Sequence, residues 1–276
     1  MSFGSRATVA RQAYGPACVG IDPHPSLLEA WGLEDDVEGL DRFASTCVEA
    51  FAGKVAFAKP QAAFFERHGA RGMAVLERTL QDLRHTGTLT VLDVKRGDVD
   101  STAQAYADAY LDDDAPMAAD AITVSPYLGL GSLEPFLQTA HKNDAGVFVL
   151  ALTSNPSGPD VQHARTADGR TVAGRVLDHL REANADAEPM GSFGAVVGAT
   201  IGSTEEDLDV NGPLLVPGYG AQGGTVADLE RLFGHVWDAI IPTTSRGVLA
   251  AGPDVASLRA AAAKVNDELG VAGAGR

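Results

Sequence analysis

The most constraining feature of this 276-residue chain is a count of alternating segments. Eight short apolar runs, at 17–22, 55–59, 88–95, 121–124, 146–152, 193–198, 214–216 and 239–242, are rich in Val, Ile, Leu and Ala. Seven stretches between them, and one after the last, carry helical signals, near 37–51, 69–85, 101–111, 132–141, 170–183, 205–210, 226–233 and 254–269. A polar lead-in over 1–16 also reads as helical. Eight strands alternating with helices over this length predict a (β/α)8 TIM barrel of the α/β class. A doubly wound sheet would show G-x-G-x-x-G after its first strand, and G-I-D-P-H-P is not that pattern. No linker or low-complexity segment interrupts the alternation, so residues 1–276 are expected to form a single domain.

Composition narrows the partners. The net charge of −16 and pI near 4.7 argue against nucleic acid and against an anionic membrane surface. A small anionic ligand stays open, because a few local cations outweigh the global field. No apolar run approaches bilayer length, and M-S-F-G-S-R-A-T-V-A lacks a signal-peptide core, so the expected location is cytoplasmic. Cys18 and Cys47 form neither a disulfide framework nor a zinc pattern, and the histidines are scattered. No metal is expected.

The chemistry gathers at strand ends. Only five of the 21 basic residues are lysines, yet Lys59 and Lys95 both end apolar strands, where an unpaired ammonium is costly. In a strand, residues i and i+2 share a face, so Asp93 and Lys95 should point the same way, alongside Val91. Asp98 and Thr102 have the i, i+4 spacing that would place both on one face of the following helix. Asp22 ends the first strand. An isolated D-x-K is often a solvated surface pair. At the C-terminal end of a barrel strand it reads as part of a site, with Lys59, Asp93, Lys95 and Asp98 alternating in sign.

The second half of the chain carries a different signal. The glycine-rich loop 217–224 leads into a helix, offering backbone N–H groups and a positive helix end, and Ser245-Arg246-Gly247 follows the eighth strand. Loops after strands seven and eight are a frequent phosphate site of such barrels.

Taken together, G-I-D-P, the strand-two Lys-Pro, D-V-K-R-G-D-V-D-S-T, T-V-S-P-Y-L-G, T-S-N-P, P-G-Y-G-A-Q-G-G and the strand-eight Arg resemble the orotidine 5'-phosphate decarboxylase family over nearly the whole chain. The likeness is to its longer bacterial branch, with a D-x-K-R-G-D third strand. The resemblance implies loss of CO2 from orotidine 5'-phosphate to give uridine 5'-phosphate in pyrimidine synthesis, with no cofactor. It makes Lys59, Asp93, Lys95 and Asp98 a charged tetrad, Asp98 and Thr102 coming from the partner of a homodimer. Asp22, Lys59 and the partner's Thr102 would hold the ribose. Ser154 would read the pyrimidine, with Thr153 and Ser125 as neighbouring alternatives, and Gln222 and Arg246 would hold the phosphate. Lys95 would stabilise and then protonate a C6 carbanion. The 153–170 loop is longer than in compact relatives, and His24 has no assigned role.

Three other readings use the same residues. A magnesium-dependent sugar-phosphate decarboxylase or synthase of the same barrel superfamily needs an acidic ligand where Lys59 stands. A Schiff-base aldolase would use Lys95. A non-catalytic nucleotide-binding protein would not need the tetrad.

Overall fold

Each of the eight apolar runs becomes a parallel strand, and the eighth pairs back onto the first to close a barrel. The computed structural model describes residues 1–274. In chain order the elements are α1 (Phe3–Tyr14), β1 (Cys18–Ile21), α2 (Pro25–Ala30), α3 (Val37–Phe51), β2 (Phe57–Pro60), α4 (Ala62–Glu66), α5 (Gly69–Leu83), β3 (Leu89–Arg96), α6 (Asp100–Leu111) and β4 (Ala121–Val124). There follow α7 (Glu134–Lys142), β5 (Gly146–Leu152), α8 (Gly158–Gln162), α9 (Val172–Ala183), β6 (Phe193–Val197), β7 (Leu214–Pro217), α10 (Val226–Phe233), β8 (Ile240–Thr244), α11 (Arg246–Leu249) and α12 (Val255–Ala274). Among the described residues, no helix is long and apolar enough to cross a membrane.

Alternation along the strands sorts the side chains into two cores. Cys18, Phe57, Val91, Ala121 and Phe148 point inward and pack with Leu215 and Ile241 inside the barrel. Their neighbours Val19, Ala58, Leu92 and Ile122 point outward into the larger cluster under the helices. Two residues beyond the inward layer, the same strand faces carry Lys59, Asp93, Thr123 and Thr243, all buried. The polar layer is thus set by the strand period.

The lead-in α1 closes the opposite end of the barrel. Phe3 is fully buried, edge-on to Phe148 with ring centroids 5.9 Å apart. It lies where a Cβ on Gly146 would come within 2.4 Å of its ring. Arg6 pairs with Asp120, and Arg11 donates to the carbonyls of Trp237, Asp238 and Ile240 at 2.7, 2.8 and 2.5 Å. The C-terminal ends of the strands are therefore the open mouth.

Two sequence expectations need correction. The stretch 205–210 is not helical: Thr204 Oγ1 accepts from Glu206 N, Asp207 Oδ1 from Asp209 N, and Asp209 Oδ1 from Asn211 N. Short polar side chains have taken over the backbone donors that a helix would use. Asp98, secondly, does not share a helix face with Thr102. Val99 is extended, Asp100 has φ +47°, and α6 begins only there. Asp98 instead accepts from the N–H of Val99 at 2.9 Å.

Candidate active site

The mouth is built around Asp93, buried at the end of β3. Its Oδ2 faces Lys59 Nζ at 3.2 Å, and its Oδ1 accepts from Lys95 Nζ at 2.5 Å and Thr123 Oγ1 at 2.8 Å. Burial by itself would raise the Asp93 carboxyl. The ammoniums of Lys59 and Lys95, with the hydrogen bonds from Lys95 and Thr123, overcome that and hold it down at about 2. Burial likewise favours neutral Lys59, but Asp22, Asp93 and the Cys18 sulfur prevail and raise it above an ordinary lysine. Both groups are charged throughout the physiological range.

The two lysines differ in setting. Lys59 is buried, also donates to Gln61 Oε1 at 3.2 Å, and lies 4.0 Å from Asp22 Oδ1. That oxygen is buried without a hydrogen bond among the described residues. Lys95 has a half-exposed side chain, 48% against 7% for Lys59. The expected shared face of Asp93 and Lys95 is realised, though not by regular strand geometry. The β3–β4 register shifts between Leu92 and Arg96, and Lys95 sits at φ +44°. Such a conformation costs a β-carbon-bearing residue roughly 1–2 kcal/mol. Thr123 anchors it, accepting from Lys95 N at 2.9 Å while donating to Asp93.

A cavity of about 330 Å³ adjoins this cluster. It is lined by Asp22, His24 and Phe64 on one side and by Gln222, Ser245 and Arg246 on the other. Gly20 makes room for the Ser245 side chain in that lining, since a Cβ there would come 1.9 Å from Ser245 Oγ. The 217–224 loop folds on itself: Gly220 N donates to Gly224 O, and Gly224 N to Gly218 O. Gly218, Gly220 and Gly223 all have positive φ, which a β-carbon would oppose. The following helix end is not offered to a ligand as expected. Thr225 and Asp228 close α10 with a capping box, and Arg231 pairs with Asp228. The cation facing the cavity is Arg246, exposed and without an ion pair among the described residues.

Of the expected site residues, Asp22, Lys59, Asp93 and Lys95 come together, and Asp22, Gln222 and Arg246 line one cavity. Ser154 lies two residues past β5, exposed, with its hydroxyl unbonded among the described residues. Asp98 and Thr102 stand outside the cluster and make no ion pair or side-chain hydrogen bond to it. Thr123, Gln61, His24 and Phe64 were not anticipated as site residues. Thr123 follows Ala121 by the same two-residue step that links Val91 to Asp93, so alternation alone identifies it. His24 caps α2, its Nδ1 accepting from Ser26 N at 3.3 Å, and sits edge-on to Phe64. Among the described residues, no three His, Cys, Asp or Glu side chains gather as a metal site.

Comparison with known proteins points the same way. The model of the orotidine 5'-phosphate decarboxylase / HUMPS family matches residues 16–261. An orotidine 5'-phosphate decarboxylase of a Nocardioides species is 61% identical over 271 residues, covering 97% of this chain and 98% of its own. That of Salinispora tropica is 61% identical over 265 residues, covering 96% and 95%. A crystal structure from Streptomyces avermitilis superposes with a TM-score of 0.96 at 56% identity, covering 99% of this chain and 96% of its own. The OMP decarboxylase of Leishmania donovani does so with 0.75 at 30% identity, covering 99% of each. The chain belongs to the orotidine 5'-phosphate decarboxylase / HUMPS family.

Proposed function

We propose that the chain converts orotidine 5'-phosphate to uridine 5'-phosphate and CO2, in the cytoplasm, as a homodimer and without a cofactor. The observation that carries this reading is the buried Asp93 carboxylate held between Lys59 and Lys95, beside a cavity that Arg246 helps to line. Loss of CO2 from C6 leaves a carbanion with no adjacent carbonyl to delocalise it. The barrier must therefore fall through fixed charges already aimed at the reacting atoms. Asp93, kept ionised by two ammoniums, crowds the substrate carboxylate and is relieved as CO2 departs. Lys95, the more exposed of the two, faces the developing charge at C6 and delivers its proton there. The repulsion falls and the attraction grows toward the transition state, so both favour it over the bound substrate, as catalysis requires.

The remaining roles follow the cavity. Asp22, with its unbonded Oδ1, accepts from a ribose hydroxyl, and Lys59 supports it. Gln222 and Arg246 hold the phosphate, and Ser154, outside the cavity lining but exposed just past β5, reads the pyrimidine. Thr153, the adjacent alternative, has its hydroxyl engaged by Asn155 and Gln162. Asp98 and Thr102 act in the mouth of a second copy of the chain. Exposed Val99, Tyr127 and Leu128, on the neighbouring loops after β3 and β4, supply apolar surface for that contact.

A magnesium-dependent sugar-phosphate enzyme is the rival within the family. It needs an acidic ligand at the end of β2, where this chain places the buried cation Lys59, already paired with Asp93. A spectrophotometric assay with orotidine 5'-phosphate, with and without EDTA, decides between them. Turnover that survives exhaustive chelation is expected. Loss restored by added magnesium would overturn the reading, and absence of turnover in both arms would leave a nucleotide-binding protein.

A further inference from the structure

The 153–170 loop is not a loose insertion at the site's edge. Its short helix α8 ends at Gln162, whose side-chain amide turns back to the end of β5 and clasps one residue twice. Gln162 Oε1 accepts from Thr153 N at 2.9 Å, and Nε2 donates to Thr153 Oγ1 at 2.6 Å. Thr153 Oγ1 passes its own proton on to Asn155 Oδ1 at 2.6 Å, and Asn155 Nδ2 donates to Ser157 Oγ at 3.1 Å. Each of these four bonds pairs a donor with an acceptor, so the amide orientations and the bond directions agree with one another.

Ser154 sits inside that frame. The residues on both sides of it are tied down, while its own hydroxyl is exposed and unbonded among the described residues. Beneath it lies Gly198, where a Cβ would come 3.2 Å from Ser154 N and 3.3 Å from Ser154 Cβ. Gly158 is close-packed in the same way. A Cβ there would lie 3.1 Å from both Gln162 Oε1 and Thr153 O. A hydroxyl left free between two anchored neighbours, close-packed over Gly198, is held out for a ligand.

We propose that Gln162 is a positioning residue for the reaction, acting through Thr153 to aim the Ser154 hydroxyl at the pyrimidine. This rests on the assignment of Ser154 to the base, and the two stand or fall on different measurements. Ser154→Ala tests the assignment. It should lower kcat/KM and uridine 5'-phosphate affinity by roughly five- to ten-fold, the value of one hydrogen bond to a neutral group in an enclosed site. Gln162→Ala should lower both by a similar factor, and Gln162→Glu, which keeps the acceptor for Thr153 N, should fall between it and the native chain. In a Ser154→Ala background, Gln162→Ala should cost nothing further, because the group it positions is gone. Ribose 5-phosphate, which has no base, should bind every variant equally by calorimetry. Gln162 is partly exposed, so the fold should tolerate its loss. Gly158→Ala, which pushes on the same clasp without removing it, serves as an independent second variant and should reproduce the loss.

Additive losses in the double variant would overturn the inference, and so would ribose 5-phosphate affinity falling with Gln162→Ala. Native behaviour of Gln162→Ala and Gly158→Ala beside an impaired Ser154→Ala would overturn it while leaving Ser154 in place. Native behaviour of Ser154→Ala would remove the assignment and the inference together.

Discussion

At the ends of β1, β2 and β3 the charged side chains answer one another. Lys59 lies between Asp22 and Asp93, and Asp93 between Lys59 and Lys95. At the ends of β5, β7 and β8 the opposite holds. Ser154, Gln222 and Arg246 are exposed, with no side-chain hydrogen bond or ion pair among the described residues. Under the proposed function the contrast separates two tasks, with Asp22 the ordered charge that also serves binding. Charges that lower a barrier must be fixed before the substrate arrives, since reorganising them during the reaction would return the gain. Groups that bind need only be available, and their contacts form with the ligand.

The contrast is tested hardest by Lys95→Ala. In the pre-ordered half, removing one charge aimed at the reacting atoms should cost at least about 10²–10³ in kcat. The fold should survive, because Lys95 is half exposed and Asp93 keeps Lys59 and Thr123. Near-native turnover with an unchanged melting curve would mean that the ordered half is structural.

Arg246→Ala probes the open half. A charge-assisted contact to phosphate is worth roughly 1.5–3 kcal/mol, or about 10- to 150-fold in affinity. Uridine 5'-phosphate should lose that factor, and uridine, which has nothing there to lose, should not. Equal losses for nucleotide and nucleoside would move the phosphate elsewhere and erase the division of labour between the halves.

The ordered half was the more legible of the two. Period two along apolar strands places Lys59, Asp93 and Lys95 in one mouth without any structure, because a buried ammonium at a strand end needs a partner. Alternation could not supply the left-handed backbone of Lys95, which depends on a register shift between β3 and β4 and on Thr123. Nor could i, i+4 spacing locate Asp98, because helical periodicity does not report where a helix starts, and Asp100 starts this one. The open half was read from glycines and an arginine, which identify a loop but not its closure. The capping box at Thr225 and Asp228 was visible as T-x-x-D and turns the end of α10 to its own use. The stretch 205–210 failed for a related reason, its Thr and Asp side chains competing for backbone donors. Gln162 lies nine residues from the Thr153 it clasps, a contact that no local periodicity encodes.

The ordered half should also leave a mark on acid stability. Asp93 has a carboxyl pKa of 3.8 in the absence of its neighbours and about 2 in the fold. A depressed carboxylate contributes stability that is fully present above its unfolded pKa and is lost as pH falls through the folded one. The advantage of the native chain over Asp93→Asn in urea unfolding should therefore narrow by about 1–2 kcal/mol between about pH 6 and pH 2.5. Parallel pH dependences would show that Lys59 and Lys95 do not hold Asp93 ionised.

The last test bears on the two residues that the proposed function assigns to a second copy's mouth. Asp98 and Thr102 lie outside the cluster around Asp93, beside exposed Val99 and on the neighbouring loop to Tyr127 and Leu128. If they complete a second copy's mouth, two-fold symmetry makes two equivalent sites, each drawing on both chains. Lys95→Ala and Asp98→Ala dimers should each be nearly inactive. Lys95 is preferable to buried Lys59 here, because breaking a buried pair costs about 3–5 kcal/mol and would confound activity with folding. When the two variants exchange subunits, each mixed dimer holds one site lacking both groups and one native site. Random exchange makes about half of the dimers mixed, so about a quarter of all sites should regain activity. A mixture that stays as inactive as its parents, with exchange demonstrated by native mass spectrometry, would place Lys95 and Asp98 in the same chain's site. Asp98 would then have to swing inward on its own chain, and the ordered half would be less complete in the free chain than its ion pairs suggest.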